Sequence, residues 1–223
     1  MLVLLDIDGT LLHGRPEAHT WAMTMAMHEV WGVPAQPDDV WRIDPGGRTD
    51  REIARLVLRA HGVDDPAIDS GVGDWIFLAG RLHDEVARDH PAPVAAIDAA
   101  DALGALAAAG FEAALLTGNL EAIGRAKVAA AGLGRWFPPG GGGFGSDAEV
   151  RADLVGVARA RASADHPDEH VVLVGDTPRD IVAARGAGVR VVAVTTGRHD
   201  RDDLAEADHV CSDLATAAKI ILQ

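Results

Sequence analysis

The sequence has few of the residues that several classes of protein require. Its one cysteine, Cys211, allows no disulfide within the chain, so a reducing compartment such as the cytoplasm is expected. Basic residues are also scarce: 20 lysines and arginines stand against 34 acidic residues, for a formal net charge of -14. Nucleic acids and anionic membranes are bound by basic surfaces, so neither is expected as a partner.

Long apolar runs are missing as well. No stretch approaches the roughly 20 apolar residues of a membrane-spanning helix, and no signal peptide is expected. Aromatic residues make up 4% of the chain, so alanine, valine and leucine must form most of the core. The 223 residues suffice for one large domain, or for a core with a smaller insert.

The sequence does have short apolar runs that alternate with helical patterns. The clear runs are continuous, which is typical of strands buried on both faces: Leu2–Leu5, Ala113–Leu116, Val171–Val174 and Val191–Val194. A helical pattern from Ala99 stops at Gly110, directly before one of these runs. This alternation predicts an α/β fold with a mostly parallel sheet and helices on both faces.

One segment, from about Arg15 to His90, contains helical patterns and no convincing strand. Helices are expected at Glu17–Trp31, around Ile53–Ala60 and at Trp75–Arg88. We therefore predict an inserted α-helical cap domain over residues 15–93, with a core formed by residues 1–14 and 94–223. The expected hinges are Gly14-Arg15-Pro16 and His90-Pro91-Ala92-Pro93.

Two aspartates, Asp6 and Asp8, directly follow the first predicted strand and precede Gly9-Thr10. Ligands of parallel sheets bind at the carboxyl ends of the strands, which is where both carboxylates would lie. Neighbouring carboxylates repel each other unless a cation is bound, and oxygen ligands suit Mg²⁺. The alternative is that Asp8-Gly9 only provides a turn.

A later strand ends in the same way, in Val174-Gly175-Asp176-Thr177-Pro178-Arg179-Asp180. Asp176 would supply a third carboxylate to the metal. Thr177-Pro178 is typical of a helix start, with Thr177 as the N-cap. Asp180 would then either support the metal ligands or serve only as a favourable charge in the first helical turn.

A third strand runs into Thr117-Gly118-Asn119, directly before a predicted helix. The hydroxyl group, the backbone N–H groups and the helix N-terminus together can bind an anion such as phosphate. Asn119 is also a good N-cap residue, a role that can coexist with anion binding.

A phosphate site also needs a basic residue, and there are two candidates. Ser146 and Glu149 have the spacing of a capping box, which would place Arg151 in the first turns of a helix. Lys127 would lie about two turns into the helix after Asn119, some 12 Å along its axis, so its reach is expected to be the poorer one. Either residue could instead be a solvated surface charge.

Together these motifs resemble the haloacid dehalogenase superfamily of hydrolases, in order and spacing, over the whole chain. The resemblance implies a Rossmann-like core and Mg²⁺-dependent phosphoryl transfer. It implies that Asp6 is the nucleophile that becomes an aspartyl-phosphate, and that Asp8 is the acid/base. It also implies that Thr117 binds the transferring phosphate, and that Asp176 holds the metal together with Asp6 and Asp8.

The sequence departs from the superfamily at its third motif. Capped phosphatases of the superfamily usually carry lysine there, whereas this chain has Arg151 in the matching stretch. We expect Arg151 to substitute, with Lys127 as the alternative, because a guanidinium group can hold phosphate through two hydrogen bonds.

The predicted cap contains Gly46-Gly47-Arg48-Thr49-Asp50, which is similar to a stretch in phosphoglycolate-phosphatase-like members of the superfamily. It is expected to be a specificity loop formed by Arg48, Thr49 and Asp50, with Arg48 meeting an anionic substrate. The alternative is a simple capping box formed by Thr49 and Glu52.

The sequence therefore predicts a phosphatase of small phosphorylated metabolites that acts as a monomer or homodimer. A sugar phosphomutase of the same superfamily is the nearest alternative, since it shares the aspartyl-phosphate step. A 2-haloacid dehalogenase would leave Asp8 without a role. A non-catalytic binding module on the same fold would not need to keep the nucleophile.

Overall fold

The computed structural model describes residues 1–15 and 17–223. Pro16, part of one predicted hinge, lies outside the described residues. The strands are β1 (Leu2–Leu5), β2 (Leu12–His13), β3 (Val94–Ala95), β4 (Glu112–Thr117), β5 (Gly143–Phe144), β6 (Val171–Gly175), β7 (Arg190–Val194) and β8 (His209–Cys211).

Six of these strands form one parallel sheet in the order β5-β4-β1-β6-β7-β8. Strand β1 lies at its centre, with Leu5 paired to Leu115 on one side and to Val174 on the other. The predicted α/β fold with a Rossmann-like parallel sheet is confirmed. The four apolar runs are all strands of this sheet, whereas β5 and β8 are too short for the sequence pattern to reveal.

Helices cover the sheet and form the insert. They are α1 (Glu17–Trp31), α2 (Pro37–Arg42), α3 (Asp50–Ala60), α4 (Asp65–Val86), α5 (Ala99–Ala108), α6 (Glu121–Ala130), α7 (Asp153–Ala160), α8 (Pro178–Gly186) and α9 (Leu214–Ile221). None of the helices in the described ranges is long and apolar enough to cross a membrane.

The side chains of β1 show why the strand is apolar throughout. Val3 and Leu5 belong to one buried cluster, and Leu2 and Leu4 to another on the opposite face. Successive strand residues point to opposite faces, so a strand with helices on both sides needs apolar residues at every position.

The insert consists of four helices, α1 to α4, between β2 and β3; the sequence predicts three of them but not α2. Its helices enclose a third buried cluster that contains Trp75, whose indole N–H donates to the carbonyl of Met23 at 3.1 Å. Leu120 and Ile123, at the start of α6, belong to the same cluster. The insert is therefore packed against the core through α6. The boundaries at residues 15 and 93 remain predictions.

Helix α4 begins at Asp65, ten residues before the start expected at Trp75. The side chain of Asp64 accepts a hydrogen bond from the N–H of Ala67 and caps this end of the helix. Gly71 lies inside the helix, where a Cβ atom would come within 2.8 Å of the Trp31 ring. Close helix packing thus explains a glycine that, in sequence, suggests a helix break.

Candidate active site

The ends of three neighbouring strands meet at one cavity of about 310 Å³. Strand β1 leads into Asp6, β4 ends at Thr117, and β6 leads into Asp176. The cavity is lined by the predicted residues Asp6, Asp8, Thr117, Gly118, Asn119, Arg151 and Asp176, together with Arg48 and Asp50 of the insert. Residues that are more than a hundred positions apart in sequence are thus brought to one place.

Asp6 lies at the floor of this cavity and is 5% exposed. One carboxylate oxygen, Oδ1, is 3.1 Å from Nη2 of Arg151. Burial raises the pKa of Asp6 to about 6, against the attraction of Arg151 and with further repulsion from Asp180. The carboxylate is therefore held next to a cation, with little water around it.

Arg151 is buried and lies in a turn before α7, which begins at Asp153. The capping box expected from Ser146 and Glu149 is wrong. The Ser146 hydroxyl accepts from the N–H of Glu121 at the start of α6, and the carboxylate of Glu149 accepts from Arg55. Both side chains are used for contacts that are remote in sequence, which no local pattern shows.

The guanidinium group of Arg151 also donates from Nη2 to Oδ1 of Asp180 at 2.5 Å. These two carboxylates, Asp180 and Asp6, raise the pKa of Arg151 although burial lowers it. Its Nε has no hydrogen-bond partner among the described residues. Arg151 is therefore a buried, permanent cation with donor capacity left for a further anion.

Three buried carboxylates, those of Asp6, Asp176 and Asp180, have oxygen atoms within 4.8 Å of one another. Burial and the charges of Asp6 and Asp180 raise the pKa of Asp176 to about 8. The three carboxylates repel one another, and the single charge of Arg151 does not balance them. A divalent ion bound to their oxygen atoms would relieve that repulsion. The three carboxylates therefore fit a metal ion that binds oxygen ligands.

Asp180 has fewer free acceptor positions than the other two carboxylates. Its Oδ2 accepts from the N–H and the hydroxyl of Thr177, at 3.0 and 2.7 Å. Thr177 is the N-cap of α8 and Pro178 follows it in the first turn, as predicted. Asp180 thus has the capping contact and also lies beside the metal group; whether it supports the ion remains a prediction.

Asp8 has different surroundings, although it comes two residues after Asp6. Its carboxylate accepts from Nζ of Lys127 at 2.8 and 3.0 Å and from Nδ2 of Asn119 at 2.9 Å. Burial alone would raise the pKa of Asp8, but Lys127 and these hydrogen bonds lower it. Its side chain lies outside the group of three carboxylates, and the structure does not bring it together with Asp176 and Asp180.

Lys127 reaches the Asp8 carboxylate, contrary to the expectation from its distance along the helix, although it is not among the residues that line the cavity. It is 4% exposed, and its Nζ is 2.6 Å from Oδ1 of Asn119. Long side chains in a helix point back toward the N-terminus, which shortens the separation that the helical rise alone suggests. Both candidate cations are therefore buried at the site, Arg151 beside Asp6 and Lys127 beside Asp8.

The Thr117-Gly118-Asn119 loop is built differently from a simple helix cap. Asn119 Nδ2 donates to the Thr117 hydroxyl oxygen at 2.7 Å, and the N-cap of α6 is Leu120. The N–H of Leu120 donates instead to the Asp50 carboxylate at 2.7 Å. Asn119 therefore does not cap the helix, because its side chain binds Asp8, Thr117 and Lys127.

The predicted specificity loop of the insert touches this core loop. The N–H of Asp50 donates to the carbonyl of Gly118 at 2.7 Å, and a Cβ atom on Gly118 would collide with the carbonyl of Arg48. Only glycine allows so close an approach at this position. The insert is thus closed over the strand ends.

Within that loop, Thr49 is the N-cap of α3, as predicted, and its hydroxyl also donates to the carbonyl of Glu149 at 2.6 Å. The reciprocal half of the expected capping box is absent, because the Glu52 carboxylate pairs with Arg48. Arg48 lines the cavity with this partner already in place. Its contact with an anionic substrate remains a prediction.

His19, in α1, lies at the site although the sequence pattern does not indicate it. Its Nε2 is 2.8 Å from Oδ2 of Asp50, and its Nδ1 is 3.1 Å from Nζ of Lys127. The available signal was a histidine one turn before Met23 within a predicted helix, which is not specific for a functional role. His19 and Asp50 bring the insert into contact with Lys127 and, through it, with Asp8.

Comparison with known proteins identifies the family of this chain. The family model for haloacid dehalogenase-like hydrolases matches residues 3–185. The chain belongs to this family. A phosphoglycolate phosphatase of Rhodospirillum rubrum is 30% identical over 207 residues, which cover 91% of this chain and 82% of the relative. The predicted superfamily and the predicted enzyme class are confirmed.

Solved structures support the fold of this haloacid dehalogenase-like hydrolase. CbbY of Rhodobacter sphaeroides in complex with phosphate has a TM-score of 0.68 at 19% identity, over 96% of this chain and 94% of that one. A mutant of CbbY in complex with xylulose-(1,5)bisphosphate has a TM-score of 0.68 at 20% identity, with the same coverage of 96% and 94%. At this identity the likeness shows the fold alone.

Proposed function

We propose that this hydrolase is a Mg²⁺-dependent phosphatase that cleaves a small phosphorylated metabolite through an aspartyl-phosphate on Asp6. The observation that carries the proposal is the buried Asp6 carboxylate, 3.1 Å from the guanidinium group of Arg151 at the floor of the cavity. A carboxylate with little solvation can attack phosphorus, and a fixed cation beside it stabilises the charge that the phosphoryl group brings. The related phosphoglycolate phosphatase supports this reaction class.

In the first step, an Asp6 oxygen forms a bond to phosphorus while the bond from phosphorus to the leaving oxygen breaks. The leaving oxygen must gain a proton, and we propose that a protonated Asp8 supplies it. In the second step, water attacks phosphorus and loses a proton to Asp8, which frees Asp6 and releases phosphate.

The surroundings of Asp8 favour the second of these steps. The ion pair with Lys127 stabilises the ionised carboxylate, which is the form that accepts a proton from water. The first step requires the protonated form, so movement of Lys127 away from Asp8 would assist it.

The phosphate is proposed to bind where donors converge beside Asp6. Thr117, Gly118, Asn119 and Arg151 all line the cavity, and the N–H of Asn119, which donates to the Thr117 hydroxyl oxygen at 3.3 Å, would be shared with the phosphate. Asp6 and Asp176 would hold the metal ion, with Asp180 beside them, and the ion would neutralise charge on the phosphoryl oxygens. This division leaves Asp8 free for proton transfer.

The insert is proposed to act as a cap domain, from residue 15 to residue 93, that closes over the substrate. Its contacts with the core loop through Asp50 and Gly118 support this role. Closure would exclude water from the phosphorylated Asp6 and hold Arg48 and Asp50, which line the cavity, next to the substrate. The Thr49 hydroxyl would act only indirectly, since it contacts the N–H of Glu52 and the carbonyl of Glu149. We place the enzyme in the cytoplasm, where a single buried thiol, Cys211, stays reduced.

The experiment is a screen of phosphorylated metabolites for release of inorganic phosphate by the purified enzyme. We expect release from at least one small phosphomonoester, loss of release after exhaustive chelation, and recovery with Mg²⁺. Full activity after chelation would contradict the metal. Isomerised sugar phosphate without phosphate release would identify a phosphomutase, and binding without turnover would identify a binding module.

A further inference from the structure

The carboxylate of Asp176 lies between two loops of the core. Its strand, β6, is flanked in the sheet by β1 and β7, and parallel strands bring their carboxyl ends together. The loop after β1 contains Gly9 and Thr10, and the loop after β7 contains Thr196 and Gly197. Both glycines and Thr196 line the cavity together with Asp176.

These two loops leave little room around the carboxylate. A Cβ atom on Gly197 would collide with Oδ2 of Asp176, and a Cβ atom on Gly9 would collide with the same oxygen. The hydroxyl group of Thr10, which is fully buried, donates to the other oxygen, Oδ1, at 3.3 Å. The carboxylate is therefore packed against the backbone of both loops, an approach that only glycine allows.

The two loops are also joined to each other. The hydroxyl group of Thr196 donates to the carbonyl of Gly9 at 2.6 Å, although the two residues are 187 positions apart in sequence. The start of the loop after β7 is fixed on its other side, because the N–H of Thr195 donates to the carbonyl of Cys211 in β8 at 3.0 Å. Hydrogen bonds at both ends thus hold this loop next to Asp176.

The backbone conformation of Gly197 does not itself require glycine. Its φ lies outside the left-handed region, in which glycine is favoured over other residues, whereas the φ of Gly9 is 87°. The feature of Gly197 that no other residue can supply is therefore its close contact with Asp176. A substitution at this position changes that contact without straining the loop.

We propose that Thr196 and Gly197 are positioning residues that hold the Asp176 carboxylate in the orientation in which it binds the metal ion. The inference rests on the metal of the proposed function and adds the loop after β7 to its support. Asp176 is one of the three buried carboxylates whose oxygen atoms lie within 4.8 Å of one another. Residues that orient a metal ligand typically contribute about ten- to a hundredfold to metal affinity.

Binding of Mn²⁺, which takes the same oxygen ligands as Mg²⁺, tests this proposal without any substrate. Electron paramagnetic resonance on the purified full chain gives the Kd for Mn²⁺. For Gly197→Ala we expect a Kd about tenfold higher or more, because the added Cβ atom displaces the Asp176 carboxylate. Gly46→Ala is the matched control: Gly46 lines the same cavity, but the nearest atom to a Cβ there is Oδ1 of Asp44, at 3.9 Å. Its Kd should equal that of the wild type.

Thr196→Val tests the connection between the loops by a smaller change. Valine is close to threonine in shape but lacks the hydroxyl group that donates to Gly9. We expect a Kd about fivefold higher, which corresponds to the net free energy of one neutral hydrogen bond. Thr195→Val is the control, since the Thr195 hydroxyl contacts the carbonyl of Cys211 at 3.4 Å and not the loop after β1. Thermal unfolding is recorded for each variant, and Thr196→Val decides alone if Gly197→Ala does not fold.

The outcomes separate this proposal from the proposed function. Wild-type affinity for Mn²⁺ in folded Gly197→Ala and Thr196→Val overturns the positioning role and leaves the metal site intact, even if turnover falls, because the loop would then act on the substrate. Equal weakening in the Gly46→Ala and Thr195→Val controls also overturns it, since the contact with Asp176 would not be the cause. A wild-type enzyme that binds no Mn²⁺ contradicts the metal of the proposed function, and the positioning role with it.

Discussion

Asp6 and Asp8 both directly follow strand β1, but their surroundings differ in charge. We call the group of Asp6, Arg151, Asp176 and Asp180 the Asp6 side, and the group of Asp8, Lys127 and Asn119 the Asp8 side. On the Asp6 side, three carboxylates share Arg151 as their cation, and burial raises the pKa of Asp6 and Asp176. On the Asp8 side, one carboxylate meets Lys127 and an amide N–H, and its pKa is lowered. Identical residue types thus acquire opposite acid strengths from their neighbours.

The two sides also differ in origin. Every residue of the Asp6 side belongs to the core, whereas Lys127 on the Asp8 side contacts His19 and, through it, Asp50, both in the insert. The nucleophile side is therefore complete without the insert, and the proton-transfer side depends on it. Substitutions on each side can therefore test whether catalysis there depends on the insert.

Removing the nucleophile should have the largest effect. Asp6→Asn keeps the shape of the side chain but removes its charge, so we expect kcat to fall by roughly 10³ or more and no phosphoenzyme to form. Asp8→Asn should slow the reaction by about 10²–10⁴, because it removes the proton donor of the first step and the proton acceptor of the second, while the nucleophile that forms the phosphoenzyme is kept. Acid quenching with radiolabelled substrate measures both. Asp6→Asn within about tenfold of wild type would exclude the covalent mechanism.

Removing the cation of each side should have the next largest effect. Arg151→Met takes away the charge beside Asp6, and we expect a loss of about 10²–10³ in kcat/KM, as for other groups that stabilise the transition state. Lys127→Met should cost less, roughly tenfold, because the Asp8 carboxylate is partly exposed and water can replace the ammonium group. Arg151→Lys should recover part of the loss.

Steady-state kinetics on these three variants decide between the two cations. If Lys127→Met has a much lower kcat/KM while that of Arg151→Met is close to wild type, the basic residue that binds the phosphate is Lys127, on the Asp8 side. Arg159→Met is a suitable control, since it removes an arginine that pairs with the exposed Asp168 outside the cavity.

The sequence predicts the Asp6 side better than the Asp8 side, for a physical reason. Asp6 and Asp176 follow continuous apolar strands, and parallel strands bring their carboxyl ends together. Lys127 and His19 lie in the middle of helices. At such positions lysine and histidine are usually solvated surface residues, so their presence does not indicate a site. Their positions depend on how α6 packs against α1 and α4, which periodicity does not determine.

The fold, too, can be predicted from the sequence only where local patterns determine it. Strand β1 and helix α1 begin and end where the sequence predicts, because continuous apolar or helical patterns set them. Helix α4 and the contacts of Ser146 and Glu149 depend on partners far along the chain, such as Trp31 and Arg55. Local rules cannot identify such partners.

Preventing closure of the insert should have a smaller effect, confined to the Asp8 side. The Cβ atom of Gly118→Ala would collide with the carbonyl of Arg48, so the insert must move away. We expect turnover to fall by less than the roughly tenfold loss of Lys127→Met, because the displaced loop only loosens the position of Lys127 and does not remove its charge. Binding of Mn²⁺, followed by electron paramagnetic resonance, should be unaffected because the metal group belongs to the core.

Gly156→Ala is the control for that substitution, because a Cβ atom at Gly156 meets no other atom within 4 Å. It should leave both turnover and Mn²⁺ binding as in the wild type. A Gly118→Ala enzyme with full turnover would show that the Asp8 side does not depend on closure, and the contrast between the two sides would then be one of charge alone.

The smallest effect concerns the stability of the insert next to the Asp8 side. His83, in α4, is 6% exposed, and its Nδ1 has no hydrogen-bond partner among the residues described. Burial, with the charges of His19 and Lys127, lowers the pKa of His83 to about 4. The folded protein therefore keeps His83 neutral at a pH where the unfolded chain binds a proton.

Between pH 6.5 and 4 the unfolded state takes up more protons at this position, so stability should fall as the pH is lowered through that range. The contribution of His83 is at most about 3 kcal/mol, from about 1.4 kcal/mol per pKa unit. His83→Leu should flatten the decrease measured by urea unfolding at pH 7 and pH 4.5, whereas His28→Leu, at an exposed position of α1, should not. An equally steep decrease in the His83→Leu protein would show that the histidine is solvated, and the Asp8 side would then be open to water through the insert.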